Sequence, residues 1–170
     1  ERLAPDGARI VGVGWRGNPN SPADRGRSLA SLAALAPLAD SGRRLIALQK
    51  LDRSEIEAAE VPTGWRVAGD HGFLVEHPGP TFDIGRDAFL DTAAVMMSVD
   101  RVVSVDTSLV HLAGALGRPT SVLLKRVADW RWLEGRDDCP AYPTMRLHRQ
   151  QQAGDYTAPI EAVAALLAAG

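Results

Sequence analysis

Three short stretches of this 170-residue chain combine residue types that could hold an anionic ligand. Asp106-Thr107-Ser108-Leu109-Val110-His111 follows the apolar run Val102 to Val105. A strand that stops at two small hydroxyl residues and turns into a helix leaves the backbone N–H groups of Thr107 and Ser108 free at the positive end of the helix dipole. That end suits a phosphate or diphosphate. His111, about one turn into the helix, can reach the same mouth as a cation or hydrogen-bond donor. The same residues also suit a helix capped by its own Asp or Thr, with a packed histidine and no ligand.

Gly12-Val13-Gly14-Trp15-Arg16-Gly17 matches the spacing of a dinucleotide fingerprint. That chemistry requires a helix to start at the glycines, and here they lead into Asn18-Pro19-Asn20-Ser21-Pro22. No acidic residue ends the next strand either, where Gln49-Lys50 stand. Two readings remain for the glycines. Either they let a strand run close to its neighbours, or the loop approaches an anion with help from Arg16, Arg25 and Arg27. Asp129-Trp130-Arg131-Trp132 supplies two aromatics and a cation that would wall a base or sugar pocket, or would pack locally. Lys50 adds one more cation at a strand end.

These stretches need elements to hold them. Ile10 to Trp15, Leu45 to Leu48, Trp65 to Val67, Val102 to Val105, Ser121 to Leu124 and Met145 to Leu147 read as strands. Ser28 is a fitting N-cap for a helix with Leu29, Leu32, Leu35 and Leu38 on one face, bent by Pro37 and closed at Ser41-Gly42. Ser54 to Ala59 predicts a helical turn or two, and His71 to Pro80 a loop-rich stretch. Helices are expected over Ala88 to Met97, Ser108 to Leu116 and Pro159 to Ala168. Strands alternating with helices predict an α/β domain over residues 1–170, a single Rossmann-like doubly wound parallel sheet. Ligands of such folds bind outside the carboxyl ends of the strands.

Composition removes other classes. A net charge of −2, from 19 basic and 21 acidic side chains, gives no global field for nucleic acid, and 5% aromatic residues argue against a stacking platform. The single Cys139 forms no internal disulfide and has no cysteine partner for zinc, and His71, His77, His111 and His148 are too scattered for ligand spacing, so no metal is expected. No apolar run is long enough to span a membrane, and no leader precedes the domain, which together point to the cytoplasm. The start at Glu1 suggests a processed chain or a piece of a longer one. Neither a nucleophile elbow nor a phosphate loop is present.

Several ordered blocks resemble bacterial glycosyltransferase family 9. They are Gly14-Trp15-Arg16-Gly17-Asn18-Pro19 with Asp24-Arg25 and Arg27-Ser28, then Leu48-Gln49-Lys50, and Phe89-Leu90-Asp91-Thr92-Ala93-Ala94. Val103-Ser104-Val105-Asp106-Thr107-Ser108 and His111 through Gly117 continue the match. Asp129-Trp130-Arg131-Trp132 through Leu147 is similar to a branch that sits behind tetratricopeptide repeats and is related to ADP-heptose:lipopolysaccharide heptosyltransferases. The resemblance implies the C-terminal half of a GT-B fold and a nucleoside-diphosphate sugar as partner, alongside an N-terminal half and the repeats. It implies donor contacts from Arg16, Asn18, Arg25, Arg27, Gln49, Lys50, Asp106, Thr107, Ser108 and His111. The reaction implied is inverting hexosyl or heptosyl transfer without a cofactor. The family's general base lies in the N-terminal half, so this chain is expected to bind donor without turning it over. The other class in view is a non-catalytic interaction module built on the same fold.

Overall fold

The computed structural model describes residues 8–39, 42–87 and 89–169. Its centre is an eight-stranded sheet of order β3-β4-β5-β2-β1-β6-β7-β8. These strands are β1 (Arg9–Gly14), β2 (Arg43–Ala47), β3 (Ile56–Ala58), β4 (Trp65–Val67), β5 (Val75–Glu76), β6 (Arg101–Val105), β7 (Thr120–Leu124) and β8 (Met145–Arg149). Six neighbours from β5 to β8 pair in parallel, and β4 and β3 extend one edge antiparallel. The Rossmann-like expectation holds across the parallel part. The antiparallel edge corrects the purely parallel sheet.

Alternation along β1 sends its side chains to two different cores. Val11 and Val13 join Leu32, Leu35 and Leu38 and the inward residues of α3 (Thr157–Ala169) on one face. Ile10 joins Ile46, Val102 and residues of α1 (Leu90–Ser98) and α2 (Ser108–Ala115) on the other. Both faces are therefore covered, which is why the central strands read as nearly continuous apolar runs. A third cluster, including Val122, Trp132, Cys139 and Leu147, closes the β7–β8 edge.

Two local expectations change. The segment with leucines every three residues is a 3-10 helix over Leu32–Leu38, capped by the Ser31 hydroxyl, which accepts from Ala33 N at 3.1 Å. A strict period of three fits three residues per turn better than 3.6, and eclipsed positions put Leu32, Leu35 and Leu38 in one row. Ser28 is thus not the cap; its hydroxyl accepts from Gly17 N at 2.8 Å and donates to Asp24 at 2.7 Å. The closing Ser41 lies outside the described residues, as does Ala88 at the start of the expected third helical segment. Arg53–Glu55 is one 3-10 turn that runs into β3, where helix had been expected through Ala59. Glu55 completes a capping box with Asp52, and Ile56 then starts pairing with Val67.

The glycines of the first stretch serve packing. A Cβ on Gly14 would lie 2.6 Å from Ser104 Oγ and 2.7 Å from Leu109 Cδ1, so β1 passes β6 and α2 only because no side chain intervenes. No helix begins at Gly17; a 3-10 turn, Pro22–Asp24, follows instead. That geometry removes the dinucleotide fingerprint.

Candidate ligand-binding cleft

The carboxyl ends of β1, β2 and β6 open into a cleft of about 490 Å³. Seven of the expected residues line it: Arg16, Asn18, Arg27, Gln49, Lys50, Thr107 and Ser108. Asp106, Arg25 and His111 do not. Asp106 is buried behind the rim, with Oδ2 3.7 Å from an Arg27 guanidinium nitrogen. Arg25 lies on a neighbouring surface hollow, and its carbonyl accepts from Lys125 at 3.4 Å. The His111 ring stacks on Trp132, centroids 5.3 Å apart, and its Nδ1 is 3.4 Å from the Tyr142 hydroxyl.

At the α2 end of the cleft, the Thr107 hydroxyl accepts from Leu109 N at 3.3 Å and the Thr107 carbonyl from Val110 N at 3.2 Å. The N–H groups of Thr107 and Ser108 have no partner among the described residues. Two unpaired amides at a helix N-terminus form an anion-binding end. Arg27 lines the same cleft, and the Tyr156 hydroxyl donates to its carbonyl at 2.7 Å. Burial, followed by the nearby Asp106 charge, pushes the Tyr156 hydroxyl far above its ordinary value, so it remains a donor at any working pH.

The β2 end has a different construction. Gln49 Oε1 accepts from Trp15 N at 2.5 Å and Arg16 N at 2.9 Å, closing the end of β1. His77 braces Gln49 from below. Gly79 N donates to His77 Nδ1 at 3.0 Å, which leaves the proton on Nε2, 3.1 Å from the Gln49 carbonyl. Arg16 pairs with Glu55, whose carboxyl is lowered despite the opposing effect of burial, by a hydrogen bond from Asp52 N and by Arg16.

Burial lowers His77, and burial with the Arg101 charge lowers His148. Both stay neutral in the folded chain at pH values where the unfolded chain takes up protons. The unfolded state then binds more protons below about pH 6.5, so stability falls as pH drops from there toward the lower folded values. Thermal melts between about pH 7.5 and 5.5 should show a falling midpoint, shallower in His77→Gln. A flat or rising midpoint would contradict these buried neutral rings.

One wall of the cleft is not among the expected contacts: Asp83, Gly85, Phe89 and Thr92, although Phe89 and Thr92 lie in a block that carries the resemblance. Asp83 and Phe89 have left-handed backbone (φ 52 and 72), and Asp83 caps α1 through Thr92 N at 3.3 Å and the Thr92 hydroxyl. Residues of this kind fold a loop back onto the sheet with no periodic signal; the Asp83–Thr92 spacing of nine is the only trace. Asp129-Trp130-Arg131-Trp132 forms a 3-10 turn in which Trp132 is buried and Trp130 is 78% exposed, outside the cleft lining. Among the described residues no three His, Cys, Asp or Glu side chains gather as a metal site, and no helix is long and apolar enough to cross a membrane.

No family model matches the chain, and no curated protein matches it. Solved structures do. E. coli heptosyltransferase WaaC with ADP-2-deoxy-2-fluoro heptose superposes at TM-score 0.52 with 19% identity, covering 98% of this chain and 45% of that one. WaaC with ADP gives 0.53, 21%, 97% and 45%. E. coli ADP-heptose lps heptosyltransferase II gives 0.54, 14%, 95% and 46%. The chain therefore has the α/β fold of one part of a GT-B glycosyltransferase and spans just under half the length of these neighbours.

Proposed function

We propose that residues 1–170 form the donor-binding half of an inverting glycosyltransferase of the heptosyltransferase kind. Its ligand is a nucleoside-diphosphate sugar. The observation that supports this reading most is the pair of unpartnered amides at Thr107 and Ser108, in a cleft at the strand ends that Arg27 also lines. Donors fixed before the ligand arrives would neutralise the diphosphate as it leaves the anomeric carbon. Structural neighbours solved with ADP and an ADP-sugar analogue support the ligand class. In this reading a second, N-terminal half supplies the base and acceptor, the tetratricopeptide repeats precede it, and the whole works in the cytoplasm. Asp106 acts from behind through Arg27, and His111 through the wall it forms with Trp132.

The test is a thermal-shift panel with ADP, UDP, GDP, their sugars and NAD. A ligand at about 100 times its dissociation constant adds about 2.7 kcal/mol, or about 5–10 °C for a domain of this size. A rise with one diphosphate class is expected. A rise with NAD alone would overturn the reading. A flat panel would favour the second reading, a non-catalytic interaction module, to which the exposure of Val127 and Trp130 lends support.

A further inference from the structure

The amino ends of β6, β7 and β8, at the opposite edge of the sheet from the cleft, carry charge that the fold leaves uncompensated. Side chains alternate along a strand, so Arg101 shares the α3 face of the sheet with Val103, and Ser121 shares it with Leu123. The register sets Ser121 between Val103 of β6 and Arg146 of β8, and Leu123 beside His148. Arg101, Ser121, Arg146 and His148 therefore lie on one face, across three neighbouring strands. Arg101 and Arg146 flank β7 from its two sides, about 10 Å apart across the sheet, a gap that two extended guanidinium side chains can span.

Among the described residues, none of the four has the partner its chemistry calls for. Neither arginine has a carboxylate within ion-pair distance. Burial, and then the charge of Arg146, lower the Arg101 guanidinium from its ordinary value, and no acid opposes them. Ser121 is 0% exposed and its hydroxyl makes no hydrogen bond; His148 Nε2 is buried without one. Two carboxylates stand near. Asp137 acts on the His148 ring, against burial and Arg101, and Asp138 is held on both oxygens by Arg136 at 2.7 Å. A buried hydroxyl and ring nitrogen without partners, beside two cations without an anion, make an arrangement that a bound anion would complete.

We infer that Arg101, Arg146 and Ser121 form a second anion site, at the amino edge of the sheet, for the dianion of phosphate or a phosphomonoester. Two forked guanidiniums match the oxygens and the charge of that group. The Ser121 hydroxyl, free to rotate, supplies a further hydrogen, and His148 adds a ring nitrogen beside them. The site is independent of the nucleotide reading. The five residues of β6 run from one edge to the other, which puts it about 16 Å from the cleft.

Arg146→Gln removes one cation at an exposed position, so the fold should hold, and Ser121→Ala removes the hydroxyl alone. An NMR titration that resolves individual amides, with inorganic phosphate and with glycerol 3-phosphate at constant ionic strength in chloride, reads this site apart from Thr107 and Ser108. On wild type the amides of Arg101, Ser121, Arg146 and His148 should shift and saturate together. The tighter of the two ligands then identifies the source of the phosphoryl group. Affinity at these amides should fall about tenfold in Arg146→Gln and about threefold in Ser121→Ala. In phosphate-free buffer Arg146→Gln should melt no lower than wild type, because it removes a repulsion, and added phosphate should raise wild type more than the variant. Shifts confined to Thr107 and Ser108, shifts that chloride reproduces, or unchanged affinity in Arg146→Gln would each overturn the inference and leave the proposed function standing.

Discussion

Arg44→Ala should destabilise the chain by about 3–5 kcal/mol, the range for leaving a buried charge without its partner. Glu76, on the short strand β5, is 2% exposed. Its carboxylate receives Arg44 Nε at 2.6 Å and another guanidinium nitrogen at 2.8 Å, the two-pronged geometry that best repays desolvation. The Thr63 hydroxyl donates at 3.0 Å and Thr63 N at 3.3 Å, so every side of the carboxylate is engaged. Arg66 stands opposite Glu76 in the sheet register, but its guanidinium pairs with Glu57 and offers no replacement. Against a total stability of about 5–15 kcal/mol, the loss would bring the chain close to its unfolding threshold. Urea unfolding measures it as a shift in midpoint at constant slope. Pairing Arg44→Met with Glu76→Leu should recover most of the loss, because both charges then leave together. A loss under about 1 kcal/mol for Arg44→Ala alone would show that water reaches Glu76.

The parallel half of this sheet was readable because buried strands such as Val102 to Val105 announce themselves, and because strand ends in such sheets are where ligands bind. That rule led to Thr107, Ser108, Gln49 and Lys50, all of which line the cleft. The antiparallel edge was readable in part: Trp65 to Val67 reads as a strand and is β4, but β3 is three residues, too short for period two to be told from a helical turn, and nothing in either marks its direction. The leucine row from Leu29 to Leu38 carries its answer in a period of three, which suits a 3-10 row as well as one face of an α-helix. His111 shows the limit at the site itself. Its place on α2 allowed both a ligand contact and a packed ring, and Trp132 and Tyr142, 21 and 31 residues on, put aromatics against it. The Asp83–Phe89 wall depends on left-handed backbone at residues other than glycine, which sequence does not mark.

Arg27→Ala should lower nucleoside-diphosphate affinity about tenfold to a hundredfold, the range for losing a charge-assisted contact to a phosphate. Two effects combine in that number. The variant removes a cation from the cleft, and it also exposes the ligand to Asp106, a buried carboxylate for which Arg27 is the one ion-pair partner among the described residues. Arg27→Ala/Asp106→Asn separates them, since it removes the cation and the stranded charge together. If Arg27 binds the diphosphate directly, the double variant recovers thermal stability but keeps a deficit of about tenfold. If Arg27 serves only to neutralise Asp106, the double variant regains wild-type affinity and the direct contact is ruled out. The backbone gives neither variant a way to compensate, because Tyr156 holds the carbonyls of Gly26 and Arg27 and no side chain is needed for that bond. Arg27→Lys should fall between, keeping the charge while losing the fork that lets one side chain face Asp106 and a phosphate at once. An affinity for Arg27→Lys as low as that of Arg27→Ala would make the fork, rather than the charge, the feature that this cleft requires.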